Sequence, residues 1–121
     1  AQRLLNEAAR YLGTPYVWGG YSPSGFDCSG FVSYCLVHSG VRNTGRLTAQ
    51  GLYNICTPVS QSDAQPGDLI FFTGTYDAGE PVTHIGIYVG NGQMIHCGHP
   101  VQYTSINSPY WQSHFYGFGR W

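Results

Sequence analysis

Gly25-Phe26-Asp27-Cys28-Ser29-Gly30 places a cysteine between glycines and leads directly into Phe31, Val32, Cys35, Leu36 and Ser39 at helical spacing, with a stop at Gly40. Cys28 therefore stands at the start of a helix. Unpaired backbone N–H groups and the positive end of the helix dipole favour an anion there, so its thiol pKa is expected to fall, making it a candidate nucleophile. The alternative for any lone cysteine is a small buried hydrophobe. A nucleophilic thiol needs an imidazole as base, and that imidazole needs an orienting partner on its second nitrogen. In His84-Ile85-Gly86-Ile87-Tyr88-Val89-Gly90, strand periodicity sets His84, Gly86 and Tyr88 on one face and Ile85, Ile87 and Val89 on the other. Asn91-Gly92 reads as a hairpin turn, after which Met94-Ile95-His96-Cys97 carries His96 onto the neighbouring strand. Antiparallel pairing brings the two histidines together, so Cys28, His84 and His96 can form nucleophile, base and orienter.

The other histidines fit this chemistry less well. His38 ends the Cys28 helix and suits its C-terminal dipole, and His114 has no comparable setting. His96, Cys97 and His99 invite a metal, but no second ligand pair stands at standard spacing, so neither metal nor cofactor is expected.

The elements that must position these residues divide into a helical half and a stranded half. Leu4, Leu5, Ala8, Ala9 and Leu12 predict an amphipathic helix over 2–12, closed by Gly13 with Pro15 beyond. The Gly-, Pro- and aromatic-rich segment 15–25 predicts a defined loop whose aromatics wall the cysteine, with Trp18 either packing or lining a groove. Helices are predicted over 28–39 and 48–54, the latter capped by Thr48. After Pro66-Gly67 the period shortens to two, predicting strands over 68–73, 84–90, 93–97, 101–106 and 116–121, with an exposed hairpin loop over 74–81. Strands segregated after helices predict an α+β fold with an antiparallel meander.

A length of 121 residues with 42% hydrophobic content suits one domain, 1–121. Net charge −1 without a single lysine argues against nucleic acid or anionic membrane as partner. No apolar run is long enough to span a membrane, and the opening at Ala1 without a methionine or signal core suggests a domain excised from a longer protein. Four cysteines without a C-x-x-C pair suggest neither a disulfide scaffold nor structural zinc, and Cys35, on the same helical stripe as Cys28, reads as core.

Pro15-Tyr16-Val17-Trp18-Gly19-Gly20, Phe26-Asp27-Cys28-Ser29-Gly30-Phe31-Val32, Pro66-Gly67-Asp68-Leu69-Ile70-Phe71-Phe72, His84-Ile85-Gly86-Ile87-Tyr88-Val89-Gly90 and Met94-Ile95-His96, taken together and in this order, resemble the NlpC/P60 family of cell-wall cysteine peptidases. The resemblance implies a papain-like core, with the nucleophile helix packed on a central antiparallel sheet. It implies Cys28 as nucleophile, His84 as general base and His96 as third residue, with Tyr16, Asp27 and Ser29 contacting substrate. Asp27 would meet the free amine of an N-terminal L-alanine where one is present. The implied reaction cuts the bond between D-γ-glutamyl and meso-diaminopimelate or lysine in peptidoglycan stem peptides. The implied setting is an exported bacterial protein at the cell wall, monomeric and fused to other wall-acting domains.

Two departures stand out: Cys97 follows His96 where the family usually carries a small apolar residue, and 43–50 matches the family's Arg-x-Thr-x-x-Gln-like segment only loosely. The rival readings are a CHAP-like amidase or cross-bridge peptidase, which normally carries an acidic or amide third residue, and a non-catalytic wall-binding module of the same fold. His96 argues against the first, and the presence of both cysteine and base argues against the second.

Overall fold

The computed structural model describes Ala1–Trp121. Its elements run α1 (Gln2–Ala9), β1 (Tyr21–Ser22), β2 (Gly25–Phe26), α2 (Cys28–His38), α3 (Ala49–Ile55), β3 (Thr57–Val59), β4 (Leu69–Thr73), β5 (Val82–Gly90), β6 (Gln93–Cys97), β7 (Val101–Ser105), α4 (Pro109–His114) and β8 (Phe115–Arg120). Six strands form one antiparallel sheet in the order β3-β8-β4-β5-β6-β7, confirming the α+β class. The predicted meander holds for β4 through β7. The last strand, however, returns to lie between β3 and β4, fastened where Arg120 grips Asp68 through two hydrogen bonds of 2.8 Å.

Leu69-Ile70-Phe71-Phe72 is buried throughout because both faces of the sheet are covered. Leu69 and Phe71 join Ile85, Ile87 and Ile95 beneath the N-terminal helices, against Phe31, Val32, Cys35 and Leu36 of α2. Ile70 and Phe72 face the other way, with Met94, Ile106 and Phe118, under Trp111 of α4. α2 is apolar nearly all round because it sits between the sheet, α1 and the β1–β2 hairpin, and Cys35 is fully buried in this core as expected.

Two predicted boundaries shift by two residues or more. α1 ends at Ala9 rather than at residue 12, because Arg10, Tyr11 and Leu12 bond back three residues instead of four, tightening the last turn and leaving Leu12 exposed. β5 begins two residues early, at Val82. β3 and α4 were not anticipated: β3 is three residues long with Pro58 inside it, and α4 is a short helix in which Ser108 caps the Trp111 N–H and Pro109 occupies the first turn.

Candidate active site

Asp27 begins the site. Its extended backbone and its Oδ1, which accepts from Gly30 N at 2.7 Å, cap α2 and leave Cys28 and Ser29 as the first two helical residues. Their N–H groups have no intrahelical acceptor. The loop before them comes so close that a Cβ on Gly30 would overlap the Gly20 carbonyl oxygen, so glycine is required for the contact that seats residues 15–20 beside Cys28.

Cys28 Sγ lies against the backbone on either side of His84: it points to Thr83 O at 3.8 Å and feels the Ile85 N–H, which favours its thiolate. A bulge makes this approach. The β4–β5 pairing steps from Phe72↔His84 to Thr73↔Val82, leaving Thr83 without a partner on β4. Thr83 also fixes the 74–81 loop through Thr75, whose N–H donates to its Oγ1 at 3.0 Å.

Behind the cysteine, the histidines form a chain. His84 Nε2 and His96 Nδ1 are 2.9 Å apart, and His96 Nε2 is 2.9 Å from Thr104 Oγ1. Thr104 lies diagonally across the β6–β7 pair from His96. Gly86 makes room for this arrangement, since a Cβ there would crowd Met94 Sδ and sit 3.2 Å from the His96 Cβ. Trp111 covers both rings, stacked over His84 at 5.2 Å and edge-on to His96 at 5.3 Å. Burial holds both imidazoles neutral: His96 falls to about 4, and His84, which also feels His96, to about 3.

The thiol departs from its expected acidity. Burial outweighs the helix terminus, and with the adjacent Asp27 carboxylate it pushes Cys28 up to about 11, against the lowering exerted by the Ile85 and Ser29 N–H groups and Arg46. Cys28 and His84 thus rest as neutral thiol and neutral imidazole, with no hydrogen bond between them.

A cleft of about 440 Å³ opens over Cys28, walled by Tyr16, Trp18, Asp27, Ser29, Arg46 and the 74–81 loop, with Trp18 edge-on to Tyr76 at 5.6 Å. Tyr16 packs on His99, its hydroxyl making no hydrogen bond within the protein. Ser29 Oγ donates to Asp27 Oδ1 and accepts from Arg46. His84 and His96 lie outside the cleft lining, on the side covered by Trp111.

Sequence relatives and solved structures match the chain and its fold. The NlpC/P60 family model matches residues 13–120. The chain belongs to the NlpC/P60 family. The bifunctional muramidase/DL-endopeptidase CwlT of Bacillus subtilis is 43% identical over 98% of this chain and 36% of its own length. A lipoprotein-like NLP/P60 protein of Staphylococcus aureus superposes with a TM-score of 0.92 at 42% identity, over 98% of this chain and 40% of that one. This NlpC/P60 chain therefore spans little more than a third of the length of these relatives. RipD of Mycobacterium tuberculosis, described as a non-catalytic NlpC/p60 domain protein adapted to peptidoglycan binding, shares the fold with a TM-score of 0.79 at 21% identity, over 98% of this chain and 93% of that one.

Thr104, Trp111 and Arg46 were not among the residues singled out from sequence. Thr104 emerges only from the β6–β7 register, whereas Ser108-Pro109 was a readable helix start that would have placed Trp111. The loosely matching segment proves structural as well: Thr48 caps α3, and Gln50 Oε1 accepts from Val82 N at 2.9 Å, tying α3 to the start of β5. Cys97 faces away from His96 into the core, its Sγ 3.2 Å from Phe26 O, and all four cysteines are free. His96, Cys97 and His99 do not converge on a common point. His38 stacks on Tyr34 at the end of α2, and His114 Nδ1 lies 2.7 Å from Thr73 O.

Proposed function

We propose that the domain is a peptidoglycan hydrolase, a cysteine endopeptidase cutting between D-γ-glutamyl and the diamino acid of stem peptides, diaminopimelate or lysine. The observation that carries this reading is a cleft-floor cysteine at a helix N-terminus abutting the backbone of His84, whose far nitrogen lies 2.9 Å from His96.

Catalysis starts from the neutral pair. The thiol proton leaves the direction of Thr83 O and passes to His84 Nδ1 as Sγ bonds to the scissile carbonyl carbon. For Nδ1 to accept, His84 carries its resting proton on Nε2 and donates it to His96 Nδ1, and His96 Nε2–H then donates to Thr104 Oγ1. The chain accommodates the tautomer that makes His84 a base. The Cys28 N–H and the Tyr16 hydroxyl, both from residues lining the cleft, stabilise the oxyanion. His84 returns its proton to the leaving amine, a thioester remains on Cys28, and water activated by His84 releases the acid.

Asp27 and Ser29 shape the substrate wall. RipD shows that the fold can serve binding alone, but this chain keeps both nucleophile and base. Export to the cell wall, attachment to further wall-acting domains and a monomeric state complete the proposal.

Digestion of purified peptidoglycan by the wild-type chain and by Cys28→Ala, with mass analysis of released fragments, tests it. New termini at the D-glutamyl–diamino acid bond, absent with Cys28→Ala, are expected. Cleavage at the sugar–peptide amide would instead indicate a CHAP-like amidase, and binding without cleavage a wall-binding module.

A further inference from the structure

A proton that moves from Cys28 to His84 leaves a positive charge on a ring with no anion bonded to it. The groups packed around that ring are neutral: Phe72 of β4, His96 of β6, Trp111 of α4 and, beyond His96, Thr104 of β7. The imidazoles hydrogen-bond to each other and to the Thr104 hydroxyl, and to no carboxylate. Asp27 and Arg46 pair on the cleft side and act on the thiol, Asp77 and Glu80 line the cleft, and His114 turns to Thr73 O. A buried charge without a partner is costly, so the site needs another means of offsetting it.

The one aromatic face laid on the His84 ring belongs to Trp111. The two centroids are 5.2 Å apart and the planes 29° apart, inside the roughly 6 Å over which a ring face attracts a cation, and indole is the strongest aromatic side chain in this respect. Phe72 is placed less well, tilted by 47° at 6.0 Å. Other contacts hold the indole where it is. Its centroid lies 4.7 Å from that of Phe72, Tyr110 meets it edge-on at 4.9 Å, and Gln112 Nε2 donates to Ile106 O at 2.7 Å, fastening α4 beside β7. The indole Nε1–H has no partner within the protein and reaches solvent, so what Trp111 offers His84 is the face of its ring.

We propose that Trp111 is a positioning residue for proton transfer, its indole face stabilising the His84 imidazolium in the part a carboxylate would otherwise play. In that step the Sγ–H bond breaks, an N–H bond forms at His84 Nδ1, and the sulfur electron pair goes to the electrophilic carbon. The proposal rests on the endopeptidase reading for its natural electrophile, but any thiol-directed electrophile draws on the same transfer.

The test places tryptophan carrying one, two or three fluorines on its benzo ring at position 111 alone, by nonsense-codon suppression. Fluorination keeps the apolar cover while draining negative potential from the face. Two rates are followed at pH 7: hydrolysis of a soluble γ-D-glutamyl-diamino acid stem peptide, and alkylation of Cys28 by iodoacetamide, read by mass analysis of the Cys28 peptide. Both are expected to fall stepwise, about two- to threefold per fluorine, with KM unchanged within about twofold. Trp111→Leu is expected to lower kcat by about thirtyfold, and the fluorinated series decides the matter if that variant does not fold. Rates that stay level across the series overturn the proposal and leave Trp111 an apolar lid. A rise in KM at constant kcat overturns it as well. A wild-type chain that leaves the peptide intact, while alkylation still falls stepwise, overturns the endopeptidase reading and upholds the role of Trp111.

Discussion

The two sides of Cys28 are built on opposite electrostatic plans. On the cleft side stand full charges, Asp27 and Arg46 at 2.7 Å, partly open to solvent and bonded to backbone and hydroxyl groups. On the sheet side stands a chain of neutral groups, His84, His96 and Thr104, closed over by Trp111. Full charge sits where water can still offset its desolvation cost, and the neutral histidine chain sits where an unpaired charge is costly. The cleft side is thus suited to choosing a substrate, and the sheet side to moving a proton.

The largest effect that would break this division comes from the sheet side. Under the proposed mechanism His96→Ala removes the partner of His84 Nε2 and is expected to lower kcat/KM by about 10³, within the range general-base catalysis supplies. His96→Asn, which keeps a hydrogen-bonding partner, should recover part of that loss. Activity of His96→Ala within tenfold of wild type would remove the relay from the mechanism.

Acid should expose the same contrast in stability. Both histidines have folded pKa values below the unfolded value of about 6.5, so their neutral burial stabilises the fold fully above that pH and is lost as pH falls toward about 4. For His96 the full shift corresponds to about 3 kcal/mol. Urea unfolding at pH 7 and pH 4.5 should show a loss of which His96 alone supplies about 2–3 kcal/mol, so that the loss is smaller in His96→Asn. An equal loss in that variant would place the acid sensitivity elsewhere.

The smallest effect belongs to the end of the chain. Thr104→Val keeps shape and strand preference but removes the hydroxyl next to His96 Nε2, and is expected to lower kcat about three- to tenfold with little change in KM, the worth of one hydrogen bond. A fall in KM-dependent terms alone would show Thr104 acting on binding.

Much of this was legible in the chain itself. Gly30 and Phe31 onward placed Cys28 at a helix start, the period of two placed His84 and His96 on paired strands, and Thr48 marked the cap of α3. What misled was local reasoning about a property that depends on surroundings: a helix N-terminus lowers a thiol pKa, but how far Cys28 is buried depends on β5 and its bulge at Thr83. The return of β8 between β3 and β4 was similarly invisible, because its partners lie about 50 residues back and periodicity reports a strand's faces, not its neighbours.

Residue type and spacing by themselves determined the α+β class, the nucleophile helix, the hairpin that pairs the histidines and the absence of a polycationic surface, since each follows from local periodicity, turn chemistry or net charge. Only the tertiary structure decided which groups share hydrogen bonds. The third link at Thr104, the cover of Trp111 and the pairing of Asp27 with Arg46 all join residues from different elements, through side-chain distances that no sequence spacing encodes.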